Sequence, residues 1–233
     1  GGQETASPPP RRAPRGQELP LSFAQQRLWF LDQMGSGAAY NVPWSARLSG
    51  PLEAAALRES LADLVRRHEA LRTTFPAPDG RPVQRVDPSA NVSLVEADLS
   101  ALPGAERESE ARRRVDEEAC RPFDLARGPL LRAMLLRLGD AEHVLTLTVH
   151  HIVTDGWSMG VLTRELAEYY SARRRGEVAE LPELPVQYAD FAQWQREWLQ
   201  GEALESQLRY WRQRLGGDLP RLDLPADHPR PAV

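Results

Sequence analysis

Apolar positions along the chain keep two rhythms, one near helical spacing and one of two residues, and the switches between them predict an alternation of helices and strands. In LPLSFAQQRLWFLDQM (19–34), Ser22 stands where a helix cap is wanted. Phe23, Leu28, Phe30 and Leu31 follow it, with Trp29 alongside, so a short helix with a heavy aromatic load is expected. MGSGAAYN breaks it, and Val42 to Leu48 alternates loosely as a strand. After Gly50-Pro51, the residues Leu57, Leu61, Leu64, Val65 and His68 recur at helical spacing and predict an amphipathic helix over 53–68. LRTTF (71–75) and RPVQRV (81–86), separated by the PAPDG turn, read as a hairpin, and NVSLVEADL as a third short strand. Residues 104–121 are highly charged and helical. The apolar runs 130–138 and 143–150 flank a Gly-Asp turn and predict a central antiparallel hairpin. A helix follows from Trp157 or Ser158 to about Arg174, then two more at about 186–199 and 202–215. Strands spread between long helices place the chain in the α/β (α+β) class.

Composition narrows the setting. The 233 residues are 41% hydrophobic, enough for a sizeable core, and the formal charge is −4 with no like-charge run of the kind found in nucleic-acid tails. Arg173–Arg175 close a predicted helix, where cations suit the dipole better than they suggest a phosphate contact. The single cysteine, Cys120, excludes an internal disulfide, favours a reducing compartment, and is expected to be buried and inert. No apolar run approaches the ~20 residues of a membrane span. Residues 1–18 are Gly/Pro/Arg-rich, lack the apolar core of a signal peptide, and read as a flexible interdomain linker. These features together predict a cytoplasmic protein. The Pro-rich stretch 217–233 reads as a crossover or linker, which leaves 19–216 as the folded part.

The densest chemistry lies in VHHIVTDGWS (149–158). Strand alternation sends the neighbours His150 and His151 to opposite sides, so one is expected to work in a cleft and the other to be satisfied in packing. Four readings stay open on these residues alone. They are a general base acting on a nucleophile, a metal site, a serine hydrolase, and purely structural histidines. The base reading suits an imidazole whose ordinary pKa is near ~6.5. A metal would need further ligands, and His68, His143 and His228 show no paired-ligand spacing. A hydrolase lacks a GxSxG elbow. Asp155 is either the cap of the following helix or the partner of an arginine, with Arg67 and Arg72 available.

HHIVTDG (150–156) resembles the HHxxxDG motif of condensation domains in nonribosomal peptide synthetases. LSFAQQRLWFLDQM (21–34), RHEALRTTF (67–75) and YADFAQWQR (188–196) resemble that family's first, second and fourth motifs, in the expected order. The resemblance implies a chloramphenicol acetyltransferase-like fold, with a mixed, largely antiparallel sheet flanked by helices. It implies the N-terminal lobe of a domain about twice as long, 217–233 leading toward a missing C-terminal lobe. It further implies peptide-bond formation between a donor thioester and an acceptor amine, both on phosphopantetheine arms of peptidyl carrier domains, with an adenylation domain as neighbour. No cofactor, metal or ATP is then bound by this chain itself, and no nucleic acid or membrane is a partner.

By motif position, His151 faces the tunnel beside the amine, as a base or as a positioning group, and His150 is its structural neighbour. Asp155 holds the loop through an ion pair with Arg67, with Arg72 and Trp157 as further structural support. Gly156 leaves room for the reactants. Gln25, Arg27 and Trp29 support the tunnel from the first motif, and Tyr188, Asp190 and Trp194 pack helices behind the active strand. The motif wording is similar to the type that joins an L-donor to an L-acceptor. An epimerisation domain, another thioester-dependent acyltransferase and a degenerate docking domain remain alternatives. A heterocyclisation domain would carry aspartate in place of His150.

Overall fold

The computed structural model describes residues 7–15, 18–88, 92–220, 225 and 227. The chain divides into two compact units, Pro9–Arg196 and Gly1–Pro8 with Glu197–Val233. Most of the expected 217–233 crossover lies outside the described residues.

In the larger unit, α1 (Phe23–Gln33) starts on the expected cap. Ser22 Oγ accepts the Gln25 amide while Gln25 Oε1 accepts the Ser22 amide, a reciprocal capping box. β1 (Asn41–Ser49), α2 (Ala54–Arg67), α3 (Gly104–Cys120), β5 (Leu131–Gly139), β6 (Glu142–His150) and α4 (Gly156–Arg174) fall where periodicity places them. β2 (Thr73–Thr74) and β3 (Arg85–Val86) form the expected hairpin as a separate two-stranded sheet. β4 (Leu94–Asp98) instead joins the main sheet, parallel to β5.

The main sheet has the order β1-β6-β5-β4, antiparallel except at β4/β5. Both faces of the central strands are covered. Leu131, Leu135, Leu145, Leu147 and Val149 pack under α2 and α4, while Met134, Leu136 and Leu138 pack with Ala111 of α3. A third cluster gathers Leu21, Leu28, Phe75, Phe123, Leu125, Leu130 and Ile152 at the end of β6 that carries the histidines. This is the mixed, mostly antiparallel sheet flanked by helices that the resemblance implies. Among the described residues, no helix is long and apolar enough to cross a membrane.

Charge pairs set α2 antiparallel to α4. Arg173 reaches Glu59 (2.6 Å) and Asp63, Arg174 reaches Glu53 (3.0 Å), and at the other end Arg67 reaches Glu165 (3.1 Å). The terminal arginines of α4 therefore clamp a neighbouring helix as well as complementing their own dipole. Cys120 is exposed rather than buried, because it ends α3 after a run of charged residues that faces outward. Parts of the stretch expected to be a flexible linker make specific contacts. Arg12 binds the Pro185 and Leu184 carbonyls and Glu183, and Arg15 binds Glu69 and Asp190.

α5 (Tyr188–Trp198) runs to the boundary of this unit, and α6 (Gly201–Leu215) belongs to the other. In α6 the Tyr210 and Trp211 rings meet edge to face.

Candidate active site

β6 is gripped on both sides up to its last residue. The His150 amide donates to the Leu130 carbonyl (3.0 Å), and the His151 amide to the Tyr40 carbonyl (2.8 Å). The chain then turns, with the Val153 amide donating to the His150 carbonyl (3.0 Å). Alternation separates the imidazoles as expected. His150 is 1% exposed, His151 is exposed, and Ile152 is buried again in the third apolar cluster.

In their neutral forms the two rings take opposite tautomers, set by the backbone groups they meet. Nδ1 of His151 lies 2.8 Å from the Thr154 carbonyl, which can only accept, so Nδ1 carries the proton and Nε2 keeps a lone pair. Nδ1 of His150 receives the Ile152 amide at 3.1 Å, so in that ring Nδ1 is the acceptor and Nε2 carries the proton. Phe123 and Tyr40 flank the His150 ring, at centroid distances of 5.9 and 6.5 Å. Burial, followed by repulsion from His151, pushes its pKa down from 6.5 to about 4. His150 is thus neutral at pH 7 and holds the loop by its backbone. His151 presents an exposed imidazole whose orientation is fixed by one carbonyl.

Asp155 does not pair with Arg67. It is the N-cap of α4, and Oδ1 accepts the Ser158 amide (2.7 Å) and hydroxyl (2.6 Å). These two donors hold its carboxyl below the usual range. Arg67 instead binds Glu165 and the Pro182 carbonyl. The antiparallel setting of α2 and α4 explains this: Glu165 lies about 15 Å along α4 from the Asp155 cap. His68 Nε2 shares the same Glu165 carboxylate at 2.6 Å. Arg72 braces the turn after α2 by donating to the Asp87 carbonyl (2.7 Å), away from the histidine loop. Trp157 is 86% exposed and braces nothing among the described residues. Gly156 opens α4, and a Cβ there would meet nothing within 4 Å, so no neighbour among the described residues accounts for the glycine.

The first-motif residues divide in the same way. Gln25 is buried, with Nε2 donating to Gln84 Oε1 (3.2 Å) and to the Ile152 carbonyl (3.4 Å), which links α1 to the loop between His151 and Asp155. Trp29 packs against the third cluster, whereas Arg27 is exposed. The fourth-motif residues bond toward the N-terminal part of the chain or pack within α5. Tyr188 Oη meets Ser22 Oγ at 3.0 Å, so α5 packs on the start of α1. Trp194 stacks beside Phe191 (5.5 Å). Asp190 is 0% exposed and accepts from the Ala13 and Gln187 amides and from Arg15. Burial would raise that carboxyl, but these donors outweigh it and hold it low.

Sequence reasoning missed the parts of the site that are backbone. The carbonyls of Thr154, Tyr40 and Leu130 fix the histidines, and no side-chain pattern announces them. It also missed Glu165, which stands at a buried position of α4 with no motif around it. Among the described residues, no three His, Cys, Asp or Glu side chains are placed to hold a metal ion.

The condensation-domain family model matches residues 15–233. The chain is 50% identical over 234 residues to a chondramide synthase of Chondromyces crocatus, covering 100% of this chain and 6% of that one. It is 51% identical over 225 residues to phosphinothricin tripeptide synthetase PhsC of Streptomyces viridochromogenes, covering 96% and 21%. Among solved structures, the X-domain complexed with OxyB from teicoplanin biosynthesis matches with a TM-score of 0.81 and 34% identity, over 98% of this chain and 50% of that one. The first condensation domain of the calcium-dependent antibiotic synthetase, in complex with a substrate analogue, matches with a TM-score of 0.75 and 28% identity, over 85% and 47%. The chain therefore spans about half the length of these solved chains and a small part of the curated synthetases. With the HHIVTDG loop at the end of its central strand and a family match that extends to residue 233, the chain belongs to the condensation-domain family.

Proposed function

We propose that this lobe supplies the working histidine of an amide-forming reaction in nonribosomal peptide biosynthesis. The observation that carries the reading is the fixed, exposed His151 ring, with Nδ1–H held by the Thr154 carbonyl and the lone pair of Nε2 left available. Donor and acceptor peptidyl carrier domains present the two substrates as phosphopantetheine thioesters. An adenylation domain of the same synthetase loads the acceptor. The acceptor amine attacks the donor thioester carbonyl carbon and forms a C–N bond and a tetrahedral oxyanion. His151 Nε2 takes the proton that the amine nitrogen must lose. The oxyanion collapses, the C–S bond breaks, and the imidazolium returns its proton to the departing thiolate. The balance is one amide and one thiol from one amine and one thioester, with no metal or ATP consumed. The motif wording favours an L-donor and an L-acceptor.

A second reading has its own support. The match to an X-domain solved in complex with OxyB supports a lobe that docks a partner protein. One experiment separates the two. In the complete domain, a single-turnover assay with preloaded carriers should show His151→Ala slowing amide formation by roughly 10²–10⁴-fold, the usual contribution of a positioned acid–base group. An unchanged rate in a folded variant overturns the chemical role. No amide from the wild type, with a partner protein still retained, favours docking.

A further inference from the structure

Asp190 raises a question that the proposed reaction does not answer, since it is a fully buried carboxylate far along the chain from the histidine loop. Its donors come from two places. Gln187 donates its amide (2.7 Å) from the same turn, while the Ala13 amide (2.8 Å) and Arg15 Nη1 (2.6 Å) arrive from the segment upstream of the first motif. Arg15 is held in turn by Glu69 Oε2 (2.8 Å) and by its own neighbour, the Ala13 carbonyl (2.6 Å). Gln187 completes the knot, with Nε2 donating to the Arg67 carbonyl (3.0 Å) and Oε1 accepting the Glu69 amide (3.1 Å). Residues 13–15, 67–69 and 187–190 are thus locked at one point.

That point is the base of α5, and α5 is bonded to the first turn of α1. Tyr188 reaches Ser22 (3.0 Å), Gln195 Oε1 accepts the Phe23 amide (2.9 Å), and Arg196 donates to the Leu21 carbonyl (2.8 Å) and to Gln26 (2.6 Å). The same first turn contains Gln25, which reaches the Ile152 carbonyl. Ile152 lies between His151 and the Thr154 carbonyl that orients it. The steps between elements in this chain are hydrogen bonds, and the steps within α5, the first turn of α1 and the 151–154 turn are made by the backbone itself.

We infer that residues 12–15 are a positioning strap, which through Asp190 and α5 fixes the cap of α1 and thereby the loop that orients His151. Arg15 and Asp190 are positioning residues in this scheme; neither touches a reactant. The inference rests on His151 being the working imidazole, but its test needs no substrate. In the intact chain, Arg15→Ala and Asp190→Asn are compared with the wild type by hydrogen exchange and by histidine-selective NMR, the His151 signals being assigned with His151→Gln. Both variants should speed exchange at Gln187 and Ala13, and also at residues 152–158 by about tenfold or more. Both should shift the His151 ring signals in the same direction, and Arg15→Lys should return them toward wild type. Asp190→Asn places an amide in a fully buried site, so Arg15→Ala, whose side chain is partly exposed, carries the test if the former does not fold. Faster exchange confined to residues 12–15 and 187, with the His151 signals unmoved, overturns the inference. Failure of the amide-forming reading alone would leave these shifts intact and show only in the single-turnover assay.

Discussion

His150 gives the lobe a stability term with a defined pH window. Its ring titrates near 6.5 when unfolded and near 4 in the folded chain, where burial and the neighbouring His151 disfavour the charge. Between those values the unfolded state binds the proton and the folded state does not, so stability is complete above about pH 6.5 and falls as the pH drops toward 4. The linkage amounts to roughly 2 kcal/mol lost at pH 5 and ~3 kcal/mol at pH 4, both as upper values. Carboxylates also titrate over part of this range, and His150→Asn isolates the histidine from them. Asn Oδ1 can stand in for Nδ1 as acceptor of the Ile152 amide, and the side chain does not titrate. Urea unfolding of wild type and variant at pH 8, 6, 5 and 4 should give a stability difference that is constant above about pH 6.5. Below that it should shift in favour of the variant by those amounts. A difference that stays constant down to pH 4 would refute the buried neutral ring.

Asp155→Ala removes a helix cap, so it should cost about 0.5–2 kcal/mol in urea unfolding, with Asp155→Asn close to wild type. A loss of about 3–5 kcal/mol, the scale of a broken buried pair, would restore an ion-pair role. Glu165→Ala leaves Arg67 without its charge partner in a largely buried place and should cost that larger amount. A loss under ~1 kcal/mol would mean that solvent satisfies the arginine. Cys120 should react with a chromogenic thiol reagent in native buffer as fast as in denaturant. Protection that denaturant removes would contradict its exposure.

Most elements were legible because each rests on a local cause. Ser22 and Gln25 announce the start of α1, the spacing of Leu57, Leu61, Leu64 and Val65 announces α2, and the runs around the Gly-Asp turn announce β5 and β6. That His150 and His151 face opposite ways, one buried and one exposed, followed from strand alternation alone. The cap role of Asp155 is local and was one of the two readings the sequence left open; the partner of Arg67 was not legible, because it depends on how α2 and α4 are offset, and only the tertiary arrangement brings Arg67 to Glu165. The strap was missed for a related reason. Arg15 lies in a Pro/Gly-rich stretch, and the carboxylate that holds it is 175 residues away. Trp157 shows the opposite failure: a tryptophan at a motif suggests packing, yet this one meets water.

The pairing of β1 with β6 also sets an order of assembly. Asn41 sits opposite His150, and Val42 opposite Val149, more than a hundred residues later in the chain. The Tyr40 carbonyl that holds His151 is part of the same long closure. On a ribosome, the first strand must therefore wait, unpaired, until the last has emerged, while α2 and α3 can form early from local contacts. The grip on the two imidazoles is then among the last features to form. Slow translation across residues 131–150 would lengthen the interval in which the first strand is open to the wrong partner.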